Sequence, residues 1–136
     1  MKRSIVRETV FVAAGGALGT LLRYGLNVWL HHPSVPLATG VENVTGAFLL
    51  GCVTGYLATH EGAPAWLRTG VGVGFCGGFT TMSTFAADAF LVLLRQDLLV
   101  LGLYVGLSLI GGILMARWGI KLGEAVGHSK AAEEGA

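Results

Sequence analysis

"GGFTTMSTF", residues 77–85, decides how this chain folds. It falls inside a long apolar stretch running from Trp66 to Leu94, yet it opens with two glycines and carries four hydroxyls, Thr80, Thr81, Ser83 and Thr84. Glycine weakens a helix, and in lipid no water satisfies backbone groups that a break would free. Non-helical backbone at membrane depth survives only where it is buried in protein or lines a cavity. The stretch therefore predicts a membrane helix interrupted near its middle, at Gly77–Gly78. Carbonyls released there can ligate a hard cation, and the nearby N–H and O–H groups can replace the hydration of an anion. These residues point to an ion pathway or an ion site and leave the ion open.

Composition supports a lipid setting. Of 136 residues, 53% are hydrophobic and only 12% charged, with mean hydropathy +0.67. Soluble domains average about 25% charged residues. Glycine accounts for 22 positions without any Gly-X-Y period, which fits closely packed membrane helices better than collagen or linkers. A net charge of +1 argues against a polyanionic partner, so no nucleic acid is expected. Cys52 and Cys76 lie in apolar stretches and read as small packing residues.

Four segments approach the length of about 20 residues needed to cross a bilayer: 9–30, 36–59, 66–94 and 98–116. Lys2, Arg3 and Arg7 before the first imitate a signal peptide, but the apolar run continues past Arg23 and reads as a retained span. Short links, "HHPSVP", "HEGAPA" and "RQD", make consecutive spans antiparallel. Trp29, Trp66 and Trp118 fall at headgroup depth. Residues 1–127 read as one four-helix transmembrane domain and 128–136 as a disordered tail. The distribution of Lys and Arg favours both termini inside. A G-x-x-x-G pair occurs in each span, at 15/19, 51/55, 70/74 and 102/106, and suits packing either within a subunit or between two.

Other constellations are weaker. "GVGFCG", 72–77, matches a dinucleotide fingerprint, but that motif needs a preceding strand and a soluble cleft. His31, His32, His60 and His128 have no zinc spacing, and no histidine stands at the depth of Ser83 or Ser108, so no enzyme is indicated. Arg23, Glu42, Asn43, Asp88, Tyr104 and Ser108 are polar within the spans, where such groups face protein or water.

"GGALGTLLRYGLN" (15–27), "NVTGAFLLG" (43–51) and "GFCGGFTTMSTF" (74–85) together resemble the signature blocks of the Fluc, or CrcB, fluoride channels. The resemblance implies an all-α membrane protein of the bacterial inner membrane: four transmembrane helices, the third broken, in an antiparallel dual-topology homodimer with two pores. Fluoride trapped in the cytoplasm would leave through it passively, conferring resistance. By the same resemblance Asn43 offers an amide N–H to fluoride, and position 82 and Phe85 are the pore phenylalanines, whose ring edges are positive. Carbonyls of Gly77 and Thr80 would hold a structural Na+ on the dimer axis, Arg23 would stand near a pore entrance, and Tyr104 and Ser108 would form a polar track. Two residues depart from the family pattern. Met82 has no ring edge, and Glu42 replaces a small apolar residue just before Asn43. An ionised Glu42 in the pathway would repel fluoride, so weakened and pH-dependent throughput is expected. A proton-coupled small multidrug exporter using Glu42, and a non-transporting scaffold, are the competing readings.

Overall fold

The computed structural model describes residues 2–30, 35–60 and 62–134. Their secondary structure is all helical. Helix α1 (Lys2–Trp29) and α2 (Leu37–Thr59) are followed by a π-helical segment (Leu67–Cys76), a short α3 (Gly77–Phe79), α4 (Met82–Leu94) and α5 (Leu98–Glu134). The π segment, α3 and α4 together make the third of four spans long and apolar enough to cross a membrane. His31 and His32 lie outside the described residues.

Large apolar side chains point outward along every span: Leu21 is 66% exposed, Leu94 63% and Ile113 62%. Among the described residues only five hydrophobic ones are buried, Cys76, Phe79 and Tyr104 among them. A chain this apolar with so small an interior is built for a hydrocarbon solvent. Trp29, Trp66 and Trp118 are exposed, as headgroup anchors should be.

Close backbone approach holds the helices in two pairs. Along the first seam, a Cβ added at Gly15 or Gly19 of α1 would run into backbone of Gly70, Phe75 and Phe79, and one at Gly74 or Gly78 would run into Val12 and Gly16. The second joins α2 to α5: Gly51 and Gly55 face Ala116, Ile120 and Glu124, while Gly119 and Gly123 face Phe48, Cys52 and Tyr56. Within each pair the contacts advance in the same direction, so the first and third spans run parallel, as do the second and fourth. That order is what three antiparallel links require. By contrast a Cβ at Gly102 or Gly106 would meet nothing within 4 Å, so among the described residues the fourth G-x-x-x-G pair has no close backbone neighbour.

Two expectations are corrected. Gly77 and Gly78 are helical, and the third span breaks three residues later, where Thr80 (φ −85°, ψ 156°) and Thr81 (φ −149°, ψ 124°) are extended. Gly78 is small because the Gly16 backbone abuts it; the break is set by the threonines. The fourth span also continues far beyond Ala116: the apolar span runs Leu98–Lys130 and its helix to Glu134. Gly119, Gly123 and Gly127, spaced one turn apart, extend the seam with α2 as far as Thr59 and keep the chain helical there. The turn into α5 is short: Gln96 adopts a left-handed φ of 59°, and Asp97 Oδ1 caps the helix by accepting from Val100 N at 3.1 Å.

Candidate functional site

Thr81 starts α4 as its N-cap. Its Oγ1 accepts from the Thr84 amide at 3.2 Å and lies 3.0 Å from Thr84 Oγ1 and 3.3 Å from Ser83 Oγ, which gathers three hydroxyls at one helix start. On the other side of the break, Thr80 ends the preceding turn with both its amide and its hydroxyl on the Cys76 carbonyl, at 2.9 and 2.8 Å.

The Asn43 side chain clamps the extended residues. Its Oδ1 accepts from Thr81 N at 2.8 Å, and its Nδ2 donates to Thr81 O at 3.0 Å. One turn along α2, Gly46 makes room: a Cβ there would collide with the Thr80 methyl and lie 3.4 Å from the Phe79 ring. "NVTG" thus places a clamp and a hollow on one face of α2, three residues apart. The break takes carbonyls out of the helical ladder, those of Gly77 and Thr80 among them. The Thr81 amide, which in a continuous helix would bond Gly77 O, is used by Asn43; the Thr84 amide, which would bond Thr80 O, is used by Thr81 Oγ1. Gly77, Thr80, Thr81, Asn43 and the 73%-exposed Met82 line an open groove of about 850 Å³ between α2 and the third span.

Phe85 lies one turn beyond Thr81 and packs against Tyr104, with ring centroids 5.1 Å apart and tilted by 34°. Tyr104 donates to Asp88 Oδ2 at 3.4 Å, and Thr39 donates to the same oxygen at 2.7 Å. Ser108, a turn below Tyr104, shares with it an apolar groove of about 470 Å³ between α2 and α5. Glu42 is fully buried, and its Oε1 accepts from Asn27 Nδ2 at 2.6 Å. Arg23 is half-buried one turn before Asn27, whose Nδ2 also donates to Arg23 O at 2.9 Å. Asn43 is thus tied to Thr81, while Phe85, Tyr104, Asp88 and Thr39 form a connected polar and aromatic group. Glu42 is held by Asn27, one turn after Arg23; Ser108 lines the groove between α2 and α5, and Met82 lines the open groove beside the break.

Asp88, Thr39 and Asn27 are members that the sequence reading does not single out as site residues. A signal was present: Thr81, Thr84, Phe85 and Asp88 follow an i, i+3, i+4, i+7 pattern, one face of α4. Among the described residues no group of three or more His, Cys, Asp or Glu side chains could hold a metal ion.

A family described as "CrcB-like protein, Camphor Resistance (CrcB)" matches residues 10–120, most of the chain and all four spans. The protein belongs to this family. Among its CrcB relatives, a protein of Bacillus subtilis (strain 168) named fluoride-specific ion channel FluC 2 is 46% identical, covering 89% of each chain. A relative of the same name from Halalkalibacterium halodurans is 43% identical over 91% of each chain, and one from Listeria innocua is 40% identical over 81% of this chain and 85% of its own.

Proposed function

We propose that this CrcB-family protein is a channel for fluoride, letting the anion leave the cytoplasm across the bacterial inner membrane and so conferring resistance. The observation that carries the reading is the extended break at Thr80–Thr81, clamped by Asn43 beside a file of donors. Fluoride is a small, strongly hydrated anion, so its passage needs fixed N–H and O–H groups in place of water. Asn43 Nδ2 spends one N–H on Thr81 O and has a second to offer. The Thr81 hydroxyl accepts from an amide, which leaves its proton for Ser83, Thr84 or an anion. Phe85 supplies a ring edge, Tyr104 and Ser108 continue the track, and Arg23 raises anion concentration at one end. Met82 supplies a polarizable thioether in place of a positive edge, which limits throughput.

The active unit is an antiparallel homodimer. The open groove, the exposed Met82 and the unpacked Gly77 support a partner on this face. The released carbonyls of Gly77 and Thr80 are hard oxygen donors suited to Na+, and two from each of two copies would complete a shared structural site. No step of fluoride passage is assigned to that ion. Expression in a strain lacking its own fluoride exporter tests the function: growth in fluoride medium is expected to be restored, and unchanged sensitivity despite membrane insertion would count against it. Cysteine labelling of an exposed terminus from each side of the membrane tests the topology, with both orientations expected.

A further inference from the structure

The buried end of Glu42 is chemically incomplete. Its side chain is 0% exposed and Oε1 is held by Asn27, but Oε2, among the described residues, is buried with no hydrogen-bond partner. Asp88 is linked to Glu42 through α2, where Thr39, one turn before Glu42, donates to Asp88 Oδ2 at 2.7 Å. Asp88 meets Thr39 and Tyr104 through Oδ2 alone, so Oδ1 is left over. Among the described residues, the charged and titratable groups around the pair are Arg23 from α1 and Tyr104 from α5. Within that set, two carboxylates carrying charge against one guanidinium leave one negative charge uncompensated. In a low-dielectric interior a bare carboxylate is disfavoured, and beside an anion pathway it also repels the permeant ion.

We propose that Glu42 and Asp88 form a binding site for one monovalent cation taken up from solution, a proton or an alkali-metal ion, and that anions pass while it is loaded. This rests on the fluoride reading. Either occupant completes Oε2: a proton turns it into a donor, and an alkali ion takes it as a ligand. Either also cancels the excess charge, which reconciles a buried glutamate beside Asn43 with an anion pathway. The site is separate from the carbonyls of Gly77 and Thr80, because its donors are side chains of α2 and α4.

The test uses the full chain in liposomes with fluoride efflux as readout. One arm raises pH at constant Na+; the other replaces Na+ by N-methyl-D-glucamine at constant pH. Wild-type efflux is expected to fall along one arm, by up to about tenfold per pH unit past the midpoint if the occupant is a proton. Glu42→Gln, neutral and similar in shape, is expected to conduct at the loaded rate and to lose that dependence; Asp88→Asn is expected to weaken it. A wild type indifferent to both arms, or a Glu42→Gln protein with unchanged dependence, overturns the proposal. Na+ dependence that survives in Glu42→Gln belongs to the break and also counts against it. Should neither protein conduct fluoride, the fluoride reading fails and the site is read from thermal stability in detergent along the same arms. A response lost in Glu42→Gln keeps the proposal, and identical profiles end it.

Discussion

Replacing Asn43 by alanine removes both halves of the clamp on Thr81. The Thr81 amide loses its acceptor at 2.8 Å and the Thr81 carbonyl its donor at 3.0 Å. The amide has no helical partner to return to, because Thr81 is extended and buried, whereas the carbonyl of this N-cap residue keeps its place as acceptor of the first helical bond of α4. An orphaned buried amide costs about 1–3 kcal/mol and the lost hydrogen bond to the carbonyl about 0.5–1.5 kcal/mol, so the substitution should cost about 1.5–4.5 kcal/mol. Ordinary interhelical hydrogen bonds in membranes are worth only about 0.6 kcal/mol each, which would give about 1 kcal/mol for two. Reversible unfolding in mixed micelles separates these cases. Thr45→Ala is the control, since its exposed hydroxyl bonds back to its own helix at Val41 O and should change stability by no more than about 0.5 kcal/mol. A loss near 1 kcal/mol for Asn43→Ala would mean that the break is held by the rest of the fold, and the argument for Asn43 as its clamp would be refuted.

Other perturbations follow from the same geometry. Gly55→Ala drives a methyl into the backbone of Ile120 and Glu124 and should destabilise by about 1–3 kcal/mol, while Gly102→Ala, in open space, should be neutral or gain up to about 1 kcal/mol in helix propensity; micelle unfolding of the two reads the contrast. Met82→Phe restores a ring edge at an exposed position in the break and should raise fluoride efflux from liposomes; an unchanged or lower rate would contradict the role given to the ring. Thr39→Val removes the shorter of two hydrogen bonds to Asp88 and should cost about 1.5–3 kcal/mol, again by micelle unfolding, more than Tyr104→Phe, whose bond is longer.

The span pattern was legible because each apolar segment is long and each link short, and the two glycines with four hydroxyls did announce an interruption. Its position was misread by three residues. Glycine has two uses in a membrane helix, unwinding and close approach, and a single sequence cannot show that the Gly16 backbone fills the space beside Gly78. The same ambiguity hid the end of the fourth span. "GIKLGEAVG", with Lys121 and Glu124, reads as a fraying end until its three glycines are seen to face α2. Asn43 was identified by resemblance, but its clamp on Thr81 joins residues 38 positions apart and has no local signature. Asp88 illustrates the reverse case: its helical spacing from Thr81 was readable, and its partners Thr39 and Tyr104 were not.

Purified protein reconstituted into liposomes loaded with potassium fluoride or potassium chloride, with release followed by ion-selective electrodes after a potassium ionophore is added, tests the central claim most directly. The account predicts rapid fluoride release, tight retention of chloride, and loss of fluoride release in Asn43→Ala. Equal release of both anions, or no fluoride release from well-folded protein, would contradict it.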